Sequence, residues 1–136
     1  MQTTAQSIYA IYALVYISYK NKPVNPAEIS NSSSIPKRFL EITLNKLKHH
    51  GILKSKKGPS GGFILSKPPQ EITLYDILSA TEGNLSLFDC GKYLPEGCHF
   101  KQFLESINIK HLNLLKSITL EDISKQESQY FLDFII

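Results

Sequence analysis

Ile35-Pro36-Lys37-Arg38-Phe39-Leu40-Glu41-Ile42-Thr43-Leu44-Asn45-Lys46-Leu47-Lys48-His49-His50-Gly51 runs straight on into Ile52-Leu53-Lys54-Ser55-Lys56-Lys57-Gly58-Pro59-Ser60-Gly61-Gly62-Phe63-Ile64-Leu65-Ser66-Lys67. Leu40, Leu44 and Leu47 recur at helical spacing, Pro36 suits a helix start, and Gly51 supplies a left-handed stop. Ile52-Leu53 and Phe63-Ile64-Leu65 are β-type runs. The Gly and Pro between them suit a hairpin tip that must lie close to something. The stretch is therefore predicted as a helix followed at once by a two-stranded hairpin. It also holds the charge: eight Lys/Arg stand against one acid, Glu41, a local net of +7. The whole chain carries only +3, because residues 68–136 hold five Lys and ten acids. A basic helix beside a basic hairpin is the electrostatic footprint of a nucleic-acid binder.

Upstream, Asn25-Pro26-Ala27-Glu28 reads as a capped helix start, with Glu28 closing a capping box, and Asn31-Ser32-Ser33-Ser34 as the turn that ends it. Two helices joined by a polar turn form a helix-turn-helix, and the hairpin that follows makes it a winged helix. Before it, Ile8, Ile11, Tyr12, Val15 and Tyr19, with Leu14 and Ile17, predict a helix buried on most of its circumference. After it, Thr73 and Asp76 cap one helix, and Thr119 and Asp122 repeat the pattern. Residues 84–99 form an irregular loop with both cysteines, Cys90 and Cys98. Phe100, Phe103, Leu104, Ile107, His111, Leu112, Leu115 and Ile118 then predict a long helix whose apolar stripe exceeds what so small a chain can cover, so self-association is expected. The apolar tail Tyr130–Ile136 is expected to dock on the partner or the domain.

With 136 residues, 42% hydrophobic and 20% charged, the chain suits a globular fold and excludes disorder. No apolar run reaches the ~18–20 residues that span a bilayer, so no membrane partner is expected. Two cysteines without an export signal point to the reducing cytoplasm. No Ser-His-Asp set, nucleotide loop or cleft-facing carboxylate pair suggests an enzyme. Gly58–Gly62 joins strand to strand, so it is not a phosphate loop.

On these residues the chain resembles the winged-helix regulator family that includes the iron–sulfur regulator IscR, the nitric-oxide-sensing repressor NsrR and the cysteine-metabolism repressor CymR (the "Rrf-two" family). The resemblance covers about Thr3 to Lys125. It is carried by the wing Gly51–Leu65, by Tyr9-Ala10, Phe39-Leu40-Glu41, Leu44 and Leu47, by Ile72-Thr73-Leu74 with Asp76-Ile77, by Glu82-Gly83 and by Ile118-Thr119-Leu120. It implies a mainly α fold with a small β-hairpin, a winged helix-turn-helix plus a long dimerisation helix. The domains expected are 1–83 for DNA binding, 84–99 as sensor loop, and 100–136 as dimerisation helix and tail. It implies a homodimer on a pseudo-palindromic double-stranded operator, acting as a repressor, with the helix in a major groove and the wing in a minor groove. The dimer interface expected is Phe103, Leu104, Ile107, His111, Leu112 and Leu115. Family members often carry a basic residue at the position of Ile8 and a polar one at that of Ile42, so their operators do not transfer.

The candidate DNA-contacting set is Pro36, Lys37, Arg38, Phe39, Glu41, Ile42, Asn45, Lys48, Lys54, Lys56, Lys57, Gly58, Pro59, Ser60 and Gly61. Arg38 can fork onto guanine, Glu41 accept from cytosine, Asn45 pair with adenine, and Ile42 pack on a thymine methyl. Lys37, Lys46, Lys48, Lys54 and Lys56 suit phosphates, which fix register without reading sequence. Lys57 matches the position of a minor-groove Arg in the family. The bland alternative is a solvated basic face.

Cluster-bearing relatives carry three cysteines in the loop. Here Cys90 matches the first and Cys98 the last, the middle one is missing, and Lys101 stands where the IscR type has its His ligand. An iron–sulfur cluster or metal at Cys90 and Cys98 would need other donors, such as Asp89, Glu96 or His99. A thiol or disulfide switch, and two cysteines without a sensing role, stay open beside it, and the cofactor is unknown. Two rival functions also stay open: an adaptor that keeps the fold without binding DNA, and a regulator that binds DNA only with a cluster or metal.

Overall fold

The computed structural model describes residues 3–126. Its elements are α1 (Ala5–Tyr19), α2 (Pro26–Asn31), α3 (Lys37–His49), β1 (Leu53–Lys56), β2 (Gly62–Leu65), a 3-10 turn at Pro69–Glu71, α4 (Leu74–Glu82), α5 (Cys90–Tyr93) and α6 (His99–Ser117). Residues 120–126 are helical again. The expected tail Tyr130–Ile136 lies outside the described residues. The winged helix is present as read, mainly helical with one antiparallel hairpin.

The caps follow the sequence. Asn25 accepts from the Glu28 backbone N–H at 2.9 Å, with Pro26 at the first helical position. The Glu28 carboxylate, expected to complete a capping box, instead accepts from the Tyr16 hydroxyl at 2.9 Å and ties α2 to α1. Thr73 and Asp76 close a reciprocal box at 3.0 and 3.1 Å, and Thr119 and Asp122 close another at 2.9 and 3.2 Å. These two boxes stand against each other. Leu74 N–H donates to the Ile118 carbonyl at 2.8 Å and Leu120 N–H to the Ile72 carbonyl at 2.7 Å, on either side of a Thr73–Thr119 bridge. Ile118 therefore lies just past α6, not within it.

One core holds the head together. Leu14, Val24, Ile29, Leu40, Leu44, Leu47, Leu53, Ile72 and Ile77 are buried in it, and Leu120 from beyond α6 joins them. A second, smaller cluster packs Leu115 and Leu112 of α6 on Leu78, Leu85, Leu74 and Tyr75. The hairpin pairs Leu53 with Leu65 and Lys56 with Gly62. Val24 adds a rung: its N–H donates to the Phe63 carbonyl at 3.0 Å, and its carbonyl accepts from the Phe63 N–H at 2.8 Å.

The buried stripe of α1 differs from the expected one. Ser7, Ala10, Ala13, Leu14, Val15 and Ile17 are buried, whereas Ile8, Tyr12 and Tyr19 are 62%, 40% and 48% exposed. The helix carries no charge and is apolar almost all round, so periodicity could not choose its inner face. Small Ala10 and Ala13 choose it, because they let α1 approach its neighbours closely.

Glu82 ties the start of α1 to the end of α4. Its carboxylate accepts from the Thr4 N–H at 2.7 Å, from the Thr4 hydroxyl at 2.9 Å and from Ser7, which also bonds Thr81 at 2.6 Å. The Ser7 hydroxyl, then Thr4, hold the Glu82 carboxyl below its ordinary value. A depressed carboxylate contributes stability above its unfolded pKa, about 4.3, that is lost as pH falls through the folded one. Glu82→Gln should cost about 2 kcal/mol at neutral pH. It should also flatten the acid limb of stability below about pH 4.5, as read by urea unfolding across pH.

Candidate nucleic-acid interface

Helix α3 sets the candidate reading face. Leu40, Thr43, Leu44 and Leu47 are buried against the head. At 3.6 residues per turn the opposite ridge is Arg38, Ile42, Asn45 and His49, all exposed. Lys37, Glu41 and Lys48 flank it on one side. His49, outside the candidate DNA-contacting set, also stands on this ridge, and its i+4 spacing from Asn45 was the signal. Ile42 is 55% exposed, an apolar side chain left in the open where a base edge would lie.

Three expected contacts are modified. Phe39 packs edge-on against Tyr9 with ring centres 5.2 Å apart, so it anchors α3 to α1. Lys46, on the same flank, donates to Gln6 at 3.1 Å, away from the ridge. Asn45 folds back to donate to the Glu41 carbonyl at 2.9 Å and must release it before it can read adenine. Glu41 in turn pairs loosely with Lys37 at 3.9 Å, and exposed pairs of this kind contribute under about 1 kcal/mol. Pro36 is the N-cap of α3, and the helix proper starts at Lys37.

The hairpin completes the surface. Lys54, Lys56 and Lys57 are exposed, as are Gly58, Pro59 and Ser60 at the tip. The Gly61 N–H donates to the Gly58 carbonyl at 3.0 Å and closes the turn. Arg38, Lys48, Lys54, Lys56 and Lys57 enter no salt bridge among the described residues, so their charge is available to a polyanion. Lys67, at the base of the hairpin, pairs with Asp76 at 4.0 Å.

The loop 84–99 is more ordered than its composition suggests. Asn108 clamps Phe88 with two 2.9 Å hydrogen bonds, and Cys90 opens the one-turn α5. Cys90 is buried and lines a cleft of about 210 Å³ with Phe88, Asp89, Tyr93, Leu94, Phe100 and Leu104. Cys98 is partly exposed at the N-cap of α6, and His99 is exposed in its first turn. Lys101 is buried and donates to Glu96 at 2.6 Å, a bond that raises its pKa and lowers that of Glu96. No group of three or more His, Cys, Asp and Glu among the described residues could hold a metal ion. With Glu96 engaged by Lys101, the donors among the described residues of one chain do not fit a four-ligand cluster.

Helix α6 presents a different stripe from the expected one. Leu115 is buried within the chain, and Leu112 packs beside it partly buried. Phe100, Phe103 and Leu114 are exposed, and with Ile107 they lie on one face at spacings of three, four and seven. Leu104 turns to the Cys90 cleft. His111 borders the seam, and its Nε2 is buried without a hydrogen-bond partner.

A helix-turn-helix and wing that carry Arg38, Lys48, Lys54, Lys56 and Lys57 uncompensated define a winged-helix DNA-binding protein. The sequence model of the Rrf2 family, described as iron-dependent transcriptional regulator, matches residues 3–126, and the chain belongs to this family. It is a DNA-binding transcription regulator and not an enzyme. The regulator NsrR of Halalkalibacterium halodurans is 27% identical over 95% of this chain and 94% of its own. The fold is shared with CymR, the global cysteine regulator of B. subtilis, at 22% identity and a TM-score of 0.75, over 93% of this chain and 98% of that one. It is shared with T. potens IscR at 24% identity and a TM-score of 0.74, over 93% and 88%.

Proposed function

We propose that the chain acts as a homodimeric repressor on a pseudo-palindromic operator. The reading head, 1–83, would place the Arg38–His49 ridge in a major groove and the wing in the flanking minor groove. The arm, from residue 100 on, would join two heads. The observation that carries this is the pairing of an uncompensated basic surface at one end with an unburied Phe100–Phe103–Ile107–Leu114 seam at the other. A seam of that spacing is one a second α6 can close. The cytoplasm is the expected compartment, and no helix among the described residues is long and apolar enough to cross a membrane.

The signal would enter through the loop 84–99. Cys90 forms part of the wall of the cleft between α5 and α6, with Phe88, Leu94, Phe100 and Leu104. Oxidation of that thiol by a peroxide to a sulfenic acid, with the peroxide reduced to water or an alcohol, would introduce a polar group into the cleft and shift α5 against α6.

Two measurements test the reading. Phe103→Asp with Leu114→Asp should turn the dimer into a monomer in sedimentation and abolish full-site footprinting. A double variant that stays dimeric would refute the seam. Protein purified without oxygen should be colourless, free of iron and sulfide, and should lose operator binding on peroxide treatment unless Cys90 is Ser. A visible cluster spectrum, or an unchanged response in Cys90→Ser, would refute the thiol signal.

A further inference from the structure

His111 holds an orphan atom. Its Nε2 is buried with no hydrogen-bond partner, the one side-chain nitrogen or oxygen so placed among the described residues. Buried polar groups are seldom left this way without a reason. The residue follows Ile107 by four positions and precedes Leu114 by three, so it stands beside both on α6. Its neighbours on that side are carbon: Phe103 and Leu114 are exposed, and Ile107 is partly so. We propose that His111 is a pH-sensitive latch of the α6 seam. The neutral ring lets two copies close, and the protonated ring parts them. This rests on the homodimer reading above and adds to it a condition on pH.

Imidazole is the side chain whose charge ordinarily changes between about pH 5 and 8. A neutral ring carries one proton, and with that proton on Nδ1 the buried Nε2 is a bare acceptor. A second proton would have to sit on Nε2, as a cationic N–H with neither acceptor nor water. No nearby charge relieves this. Glu105 is the one acid of α6, and it lies about 120° round the helix from His111. Lys110 and Lys116, on the same helix, are cations. On α4, Tyr75 takes the Lys116 ammonium over its ring, Asp76 is held by Thr73 and Lys67, and Glu82 by Thr4 and Ser7. On α5 and its loop, Lys92 stands over Tyr93, Glu96 pairs with Lys101, and Asp89 is exposed. Beyond α6, Asp122 caps at Thr119 and Glu121 pairs with Lys125. None of these groups bonds His111. A twofold seam carries this residue twice, so a proton on each copy would have to enter an apolar contact. Closure therefore releases protons, and the dimer is favoured at high pH and lost as pH falls.

The test is sedimentation of the full chain at about pH 8 and about pH 5.5, at one ionic strength. The dissociation constant of the dimer should rise about tenfold or more on acidification. Circular dichroism should be the same at both values; a lost helical signal would mean unfolding, not dissociation, and would overturn the proposal. His111→Leu, which completes the apolar stripe, and His111→Gln, which is polar but cannot charge, should both stay dimeric at the lower pH. The two variants keep His49, His50 and His99, so a pH dependence that persists in them would belong to those residues and sink the latch. A wild-type dimer equally tight at both values would sink it as well, while leaving the homodimer reading intact. A chain already monomeric at about pH 8 would overturn that reading and the latch with it.

Discussion

Alanine at Arg38 should cost about 1–3 kcal/mol of operator affinity and relax the preference for one base pair, leaving binding to random DNA nearly unchanged. Arg38 is the one guanidinium on the ridge, and no carboxylate among the described residues claims it. Combined Lys56→Ala and Lys57→Ala should behave in the opposite way. Affinity should fall for all sequences alike, and the slope of log affinity against log salt should become shallower by about 0.9 for each phosphate that is no longer neutralised. Binding titrations on an operator and a scrambled duplex at several salt concentrations separate the two. If the lysine pair changed neither affinity nor slope, the hairpin would not be a wing. Ile42 makes a subtler case. Ile42→Gln supplies a hydrogen-bonding group where a thymine methyl is now the natural partner, and should shift sequence preference more than strength.

Gly62→Ala should be more damaging than any of these, although Gly62 need not touch DNA. A Cβ there would stand 2.5 Å from the Val24 carbonyl oxygen and 2.6 Å from its carbon. Both are backbone atoms held by the Val24–Phe63 rung, so neither can move away without breaking two hydrogen bonds. Forced overlap in a packed region costs about 1–3 kcal/mol, and loss of the rung adds to it. That is a large part of the roughly 5–15 kcal/mol that holds a typical domain together. The expected result is a lowered melting temperature together with lost operator binding, whereas Gly58→Ala, where a Cβ meets nothing within 4 Å, should differ mainly by the strain of its positive φ. A Gly62→Ala protein of unchanged stability would show that the hairpin is not fastened there.

The order of elements was legible because the signals for it are local. Asn25-Pro26, Thr73 with Asp76 and the Gly51 stop are short-range chemistry, and each stands where it was read. The glycine-rich tip was read as lying close to something. That something includes the chain's own backbone: Val24 behind Gly62 and Lys56 behind Gly61. What failed was the choice of face on helices that are apolar over too much of their circumference. In α1 and α6 the sequence names apolar residues, but which of them turn inward depends on neighbours distant in the chain. Ala10 and Ala13 decide it for α1, and Leu78 with Leu85 decide it for α6. The burial of Lys101 and its pairing with the exposed Glu96 were invisible for the same reason, since a lone Lys in sequence reads as a surface residue.

The paired caps at Thr73 and Thr119 have a mechanical consequence. Two backbone hydrogen bonds and the buried Leu120 clasp the far end of α6 to the foot of α4, and Leu115 packs on the same helix. Arm and head are thus welded at one joint, without a slack linker to absorb motion. A small pivot at the other end of α6, next to the Cys90 loop, would be carried through nineteen residues of helix as through a lever. The spacing of two heads on DNA would then be set by the angle of α6, and each head would travel without changing its own shape.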